Sequence, residues 1–269
     1  MNNVIVVASG KGGTGKSTVC ICLSVSLVKQ GKRVLLIDCD CGMRGLDIML
    51  DIEQDILFDA SDAVCGNCAF GEAVYKSKNN DNLFLMAAPF DAENELSPSV
   101  FRQLVDALKG SFDYVIIDSP AGIGSGFVTA AAPANRALIV TNAEPTSVRG
   151  AVKVRKRLEA LGINDARLVI NRFDKRAFRK LGFYPDLDFR PSGAVITIHK
   201  TTAQKTVTVE FNAFQIPTAQ LPGCVALKDT FARCADFWGK QKAVTTKNFF
   251  NNAYDKISAE TVSVLRISD

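Results

Sequence analysis

Residues Ser9 to Thr18 read SGKGGTGKST, four glycines and two lysines set between the apolar runs NNVIVVA and VCICLSVSLV. Gly10-Lys11-Gly12-Gly13-Thr14-Gly15-Lys16-Ser17 fits the spacing G-x-x-x-x-G-K-[ST], and Thr18 continues it. Such a stretch leaves few choices of fold. A buried strand must feed a loop whose backbone N–H groups curl around an anion, and a helix must follow, its N-terminal partial charge aimed at the same anion. Both flanks are predicted here: a short β-branched strand over 3–8 and a helix over 17–30 ended by Gly31. In this setting Lys16 supplies a point charge to the β and γ phosphates, and the Ser17 hydroxyl faces Mg²⁺. The alternative is a chance glycine-rich turn. Lys11 is not accounted for by either reading, because Lys16 already fills the usual lysine position.

The same alternation continues along the chain. Apolar strands are predicted at 32–38, 82–88, 112–118, 136–142 and 166–172, and helices at 97–110 and 147–162. The first of these helices carries Ser97 as N-cap, Pro98 in its first turn and Gly110 as terminator. Nearly all-apolar strands alternating with helices imply an α/β fold: a mostly parallel twisted sheet with helices on both faces. Ligands of such sheets sit beyond the carboxyl ends of the strands. Asp38 and Asp40, Asp118 and Asn171 all fall at predicted strand ends. Asp118 closes VIID and suits a carboxylate positioned by a rigid element near Mg²⁺. Alternation places Asp38 and Asp40 on one side, where they repel unless a cation or water lies between them; the simpler reading of Asp38 is a loop cap.

Residues 1–183 thus read as a phosphate-loop core. The pattern decays beyond. Residues 184–269 read as a divergent portion completing the same domain, Thr-rich and strand-like at first, with a terminal helix expected over 247–267.

The 269 residues are 47% apolar and 22% charged, with a net charge of +4. That mild excess, spread along the chain, is no nucleic-acid footprint. The N-terminus has no basic stretch before a long apolar segment, so a cytoplasmic protein is expected. Eight cysteines in such a protein are expected to be free thiols. Cys65-Gly-Asn-Cys68 is a lone CxxC beside a single histidine, His199, and signals metal or redox chemistry only weakly.

KGGTGKST resembles the deviant Walker A motif of the MinD/ParA family, in which the extra lysine is a signature residue. The resemblance extends through IDCDCGMRGLD (37–47), VIIDSPAGI (115–123), NAEPTSVRGA (142–151) and VINR (169–172). It covers residues 3 to about 182 and is most similar to the MinD branch. By this resemblance the ligands are ATP and Mg²⁺. By the same resemblance Lys11 would reach a partner's nucleotide across an ATP-dependent homodimer, the alternative being that it contacts only its own phosphates. Lys11, Lys16 and Asp40 would carry catalysis, Asp40 by orienting water. Ser17, Asp38 and Asp118 serve the metal, the segment to Asp47 responds to the γ-phosphate, and Asn171 with Arg172 lies at the base. It further implies septum placement, partners of the MinC and MinE type, and a peripheral site at the inner face of the cell membrane through a tail that meets anionic lipid.

Two other readings compete. A ParA-type or flagellar-number ATPase would position other cargo, with Lys153, Arg155, Lys156 and Arg157 as a candidate DNA face, although such a run is usually a solvated helix surface. A carrier related to the nitrogenase iron protein would use cysteines to hold a cluster.

Overall fold

The computed structural model describes residues 3–41, 43–89, 91, 95–142, 144–173, 194–201, 206–213 and 225–228. The backbone strands β1 (Asn3–Ala8), β2 (Val34–Asp38), β3 (Tyr75–Lys76), β4 (Leu83–Met86), β5 (Tyr114–Asp118), β6 (Arg136–Asn142), β7 (Ala166–Phe173), β8 (Ala194–Thr201), β9 (Thr206–Ala213) and β10 (Val225–Lys228) form one sheet. Their order is β10-β9-β8-β7-β6-β1-β5-β2-β4-β3. From β8 through β4 every pairing is parallel; β3, β9 and β10 add antiparallel edges.

Alternation within the central strands divides the core in two. Ile5 and Val7, with Val34, Leu36 and Ile116, pack under α1 (Lys16–Lys29) and the short α2 (Leu46–Met49). Val4 and Val6, with Leu35, Ile37, Val115 and Ile117, face α3 (Ala60–Cys65), α4 (Pro98–Leu108), α5 (Ser125–Ala131) and α6 (Pro145–Ala160). Strands covered on both faces must be apolar at every position, which is why VIVVA, VLLI and YVII show no polar alternation. The helices therefore lie on both faces of a mostly parallel sheet, as the sequence predicts.

The helix predicted at 97–110 is α4. Ser97 accepts the Val100 N–H and Pro98 occupies the first position. The strand predicted from Lys32 starts instead at Val34, because the Arg33 carbonyl accepts the N–H groups of Asp113 and Tyr114 before regular pairing begins. The guanidinium of Arg33 stacks 4.7 Å from the Phe84 ring centre and 5.3 Å from that of Phe112, closing the end of the sheet opposite the phosphate loop. Three short helices, α2, α3 and α5, escape a reading by periodicity. α3 rests on a capping box between Asp59 and Asp62. β3 adds a two-residue antiparallel edge to β4.

Candidate functional site

The site is built at the carboxyl ends of β1, β5, β2 and β7. Beyond Ala8 the chain turns through the phosphate loop, and α1 begins at Lys16 with Gly15 as its N-cap. Gly15 has φ 91°, a left-handed conformation, and a Cβ built there would lie 2.3 Å from Asn171 Nδ2. Conformation and space both require glycine. No side chain caps α1. Its first N–H groups therefore point out of the helix end toward the loop, the arrangement that receives a phosphate. A Cβ at Gly12 or Gly13 would meet nothing within 4 Å, so the loop is open on that side. Ser9, fully buried, ties the loop to itself by donating to the Lys11 carbonyl at 3.0 Å. Thr14 is buried too, and its hydroxyl has no hydrogen-bond partner among the described residues.

Lys16 is buried and its Nζ donates to Asp118 Oδ1 at 3.2 Å. Burial works against its charge, but the Asp118 carboxylate outweighs that and holds the ammonium above its usual pKa. Ser17 and Thr18 follow on α1, both half-buried. Lys11 behaves differently: its side chain is 50% exposed, and Nζ meets Glu144 Oε2 at 3.0 Å. Glu144 is the residue that precedes α6, with Pro145 at the first helical position. The end of β6 secures that start, since the Ser147 hydroxyl accepts the Asn142 N–H at 3.1 Å and the Thr141 hydroxyl at 2.9 Å.

The two strand-end acids are register partners, Asp38 on β2 against Asp118 on β5. Both are buried. Asp38 accepts three backbone N–H groups, from Asp40 at 2.9 Å and from Gly45 and Leu46 at 3.1 Å each. It thus caps the chain that follows β2 and fixes the entry to α2, the simpler of its two predicted roles. Burial first, and the charge of Asp118 second, push its carboxyl up to about 6. Asp40 lies past the end of β2, so strand alternation does not relate it to Asp38; the link is its own N–H. Asp40 is half-buried, and its pKa is raised by burial although Lys16 pulls the other way. Asp47 is turned to α2 itself, pairing with Arg44 Nε at 3.2 Å and accepting the Ile48 N–H at 2.8 Å.

Asn171, fully buried at the end of β7, donates from Nδ2 to the Thr14 carbonyl at 2.8 Å. This bond makes Asn171 a brace on the phosphate loop itself, a role distinct from the expected base contact. Arg172 continues β7, and its side chain lies outside the described residues, as do the terminal helix expected over 247–267, Cys224 and Cys234. The six described cysteines are free thiols. Cys65 ends α3, with Gly66 left-handed after it, and among the described residues no group of three or more His, Cys, Asp or Glu side chains is placed to hold a metal. Lys153, Lys156 and Arg157 are exposed on α6, and Arg155 pairs with Glu159 at 2.8 Å one turn on, the behaviour of a solvated helix face. Among the described residues no helix is long and apolar enough to cross a membrane. Glu144 and the loop-bracing role of Asn171 were not readable from the sequence. Glu144 sits inside the quoted stretch NAEPTSVRGA, but only the fold brings it to Lys11.

Residues 2–167 match the AAA domain family AAA_31. The chain is 44% identical over 173 residues to the septum site-determining protein MinD of Synechocystis sp., a match spanning 64% of this chain and 65% of that relative. Among solved structures, the MinC:MinD cell division protein complex of Aquifex aeolicus superposes with a TM-score of 0.61 at 37% identity, covering 66% of this chain and 72% of that one. MinD of Pyrococcus horikoshii, complexed with Mg-ADP, gives 0.60 at 29% identity, covering 67% and 77%.

Proposed function

The chain belongs to the MinD/ParA family of phosphate-loop ATPases, and from that premise we propose that it is a MinD-like ATPase that dimerises on ATP, associates with the membrane and helps place the division septum. The observation that carries this reading is the contrast between the two loop lysines. Lys16 is buried against Asp118, while Lys11 is half-exposed and held by a surface pair with Glu144. A lysine so placed is available to a second molecule; a lysine buried like Lys16 is committed to its own site.

The residues present fit a Mg-nucleotide. The loop is open at Gly12 and Gly13, α1 carries no side-chain cap, and carboxylates stand at the strand ends behind it. Mg²⁺ at a phosphate site keeps several waters and takes one or two protein groups, so a dense ligand cluster is not needed. Ser17, Asp38 and Asp118 would hold it, Asp38 while also capping the chain after β2. When bound, the ion would neutralise charge on the phosphate oxygens. In hydrolysis a water oxygen would form a bond to the γ-phosphorus as that phosphorus's bond to the β–γ bridging oxygen breaks; ADP leaves with the bridging oxygen, and the water's protons stay with the released phosphate. Asp40 orients that water. Lys16 stabilises charge on the transferred group, and Lys11 does so in the partner's site. Partners of the MinC and MinE type belong to this reading, supported by the Aquifex aeolicus protein's assembly with MinC.

The test is sedimentation of the full chain with and without anionic vesicles, in ATP and in ADP. The expected result is dimer and vesicle binding in ATP only, with Asp40→Ala accumulating the ATP form. A chain that stays monomeric in both nucleotides refutes the reading, and ATP-dependent binding to DNA in place of vesicles transfers it to a ParA-type function.

A further inference from the structure

We propose that Gly150, on α6, is a positioning residue of the nucleotide site: it seats the first residue of the phosphate loop, backbone against backbone. This rests on the nucleotide-binding reading above. A Cβ built at Gly10 would lie 2.2 Å from the Gly150 carbonyl carbon and 2.3 Å from its Cα. A Cβ built at Gly150 would lie 3.0 Å from both the carbonyl carbon and Cα of Gly10 and 3.1 Å from its oxygen. Neither glycine has a positive φ. Each is required by proximity, not by backbone freedom.

Gly150 lies inside a 16-residue helix, where glycine is disfavoured relative to alanine. The contact with Gly10 supplies a reason for it. α6 and its N-cap then touch the loop at two neighbouring residues, Gly10 through Gly150 and Lys11 through Glu144. On the other side Asn171 holds Thr14. The loop is therefore clamped between α6 and β7, and its N–H groups are aimed by the two together. Alanine at 150 forces Gly10 to yield by a few tenths of an ångström. Asn171 anchors the far end at Thr14, so the shift falls on the residues between. Displacement of this kind lowers affinity steeply, because oriented N–H groups and Lys16 must converge on one anion.

Gly150→Ala should affect binding and stability unequally. Alanine's helix propensity offsets the strain of displacing Gly10, so thermal unfolding without nucleotide should change little. Affinity for a fluorescent ADP analogue should fall about tenfold, and Gly150→Val should lose more. Lys153→Ala, on the exposed face of the same helix, serves as control. Wild-type affinity in Gly150→Ala overturns the proposal. So does a joint fall of affinity and stability, which marks a merely structural role. A measurement on the unaltered protein covers the case in which the variants do not fold: ADP should slow amide exchange over 148–153 together with 11–17. Protection of 11–17 alone overturns the proposal. If the unaltered chain binds no ADP, the nucleotide reading itself fails, and that outcome is distinct from the others.

Discussion

Asp38→Asn provides a sharp test of the buried acids. The Asp38 carboxyl stands at about 6 against an ordinary 3.8, raised by burial and then by Asp118. At roughly 1.4 kcal/mol per pH unit, that difference corresponds to about 3 kcal/mol of destabilisation carried by the ionised folded protein at neutral pH. The sign follows from proton affinity: the folded state binds this proton more tightly than the unfolded state. The burden is therefore complete above about pH 6 and is relieved as pH falls from there toward 3.8; about half remains at pH 5. Asparagine cannot ionise and escapes the burden. It can, however, accept with only one atom where Asp38 uses two. With its oxygen kept on Gly45 and Leu46, its amide nitrogen faces the Asp40 N–H, at a cost of about 2 kcal/mol. The variant should thus be about 1 kcal/mol more stable than the parent at pH 7.5, and no more stable at pH 5. Urea unfolding followed by circular dichroism in EDTA reads both values. An offset that is the same at the two pH values refutes the raised carboxyl. A large loss of stability at pH 7.5 refutes the balance of charge against hydrogen bonds.

Lys16→Ala strips the cation from Asp118, which is itself buried. Loss of one partner of a buried pair should cost roughly 3–5 kcal/mol, and calorimetric titration should find ADP binding abolished; tight residual binding would remove Lys16 from the phosphate contact. Glu144→Ala breaks a pair whose side chains are 50% and 53% exposed, so urea unfolding should shift by less than about 1 kcal/mol. The same variant should dimerise with ATP at least as readily as the parent, whereas Lys11→Ala should bind ATP and stay monomeric in the ultracentrifuge. Dimers of Lys11→Ala would reduce Lys11 to an ordinary loop residue.

The parts of the site written in consecutive residues were legible. The glycine and lysine spacing of 10–17 encodes strand, anion loop and helix together, and Ser97-Pro98 marks the start of α4 because capping chemistry is local. Asp118 was legible from its place at the end of an apolar strand. What escaped depends on contacts across the chain. Lys11 and Glu144 are 133 positions apart, and Asn171 and Thr14 are 157 apart. Gly10 and Gly150 carry no side chain whose chemistry could announce the contact. α2 and α5 span four and seven residues, too short for a helical period to show against neighbouring glycines. Asp38 is the intermediate case. Its three donors lie within eight residues, yet which of its two readings holds depends on how the chain after β2 folds back.

The energetics of the two lysine pairs divide the labour at the loop. Both cations are met by carboxylates of the same chain, at 3.2 Å for Lys16 and 3.0 Å for Lys11. Distance does not separate them; solvent does. In the buried pair each ion has given up water, so neither leaves its partner without another charge to replace it. On the proposed function, Lys16 would turn only toward an anion delivered to the loop itself, releasing Asp118 toward a cation. In the exposed pair water compensates for separation, and the pair holds Lys11 by about 1 kcal/mol or less. Lys11 can therefore leave Glu144 for a charge that lies outside its own loop. A second lysine buried like the first would strengthen phosphate binding without making it depend on another molecule. On the proposed function, a lysine at the rim and loosely paired would make the chemistry responsive to whatever approaches that face.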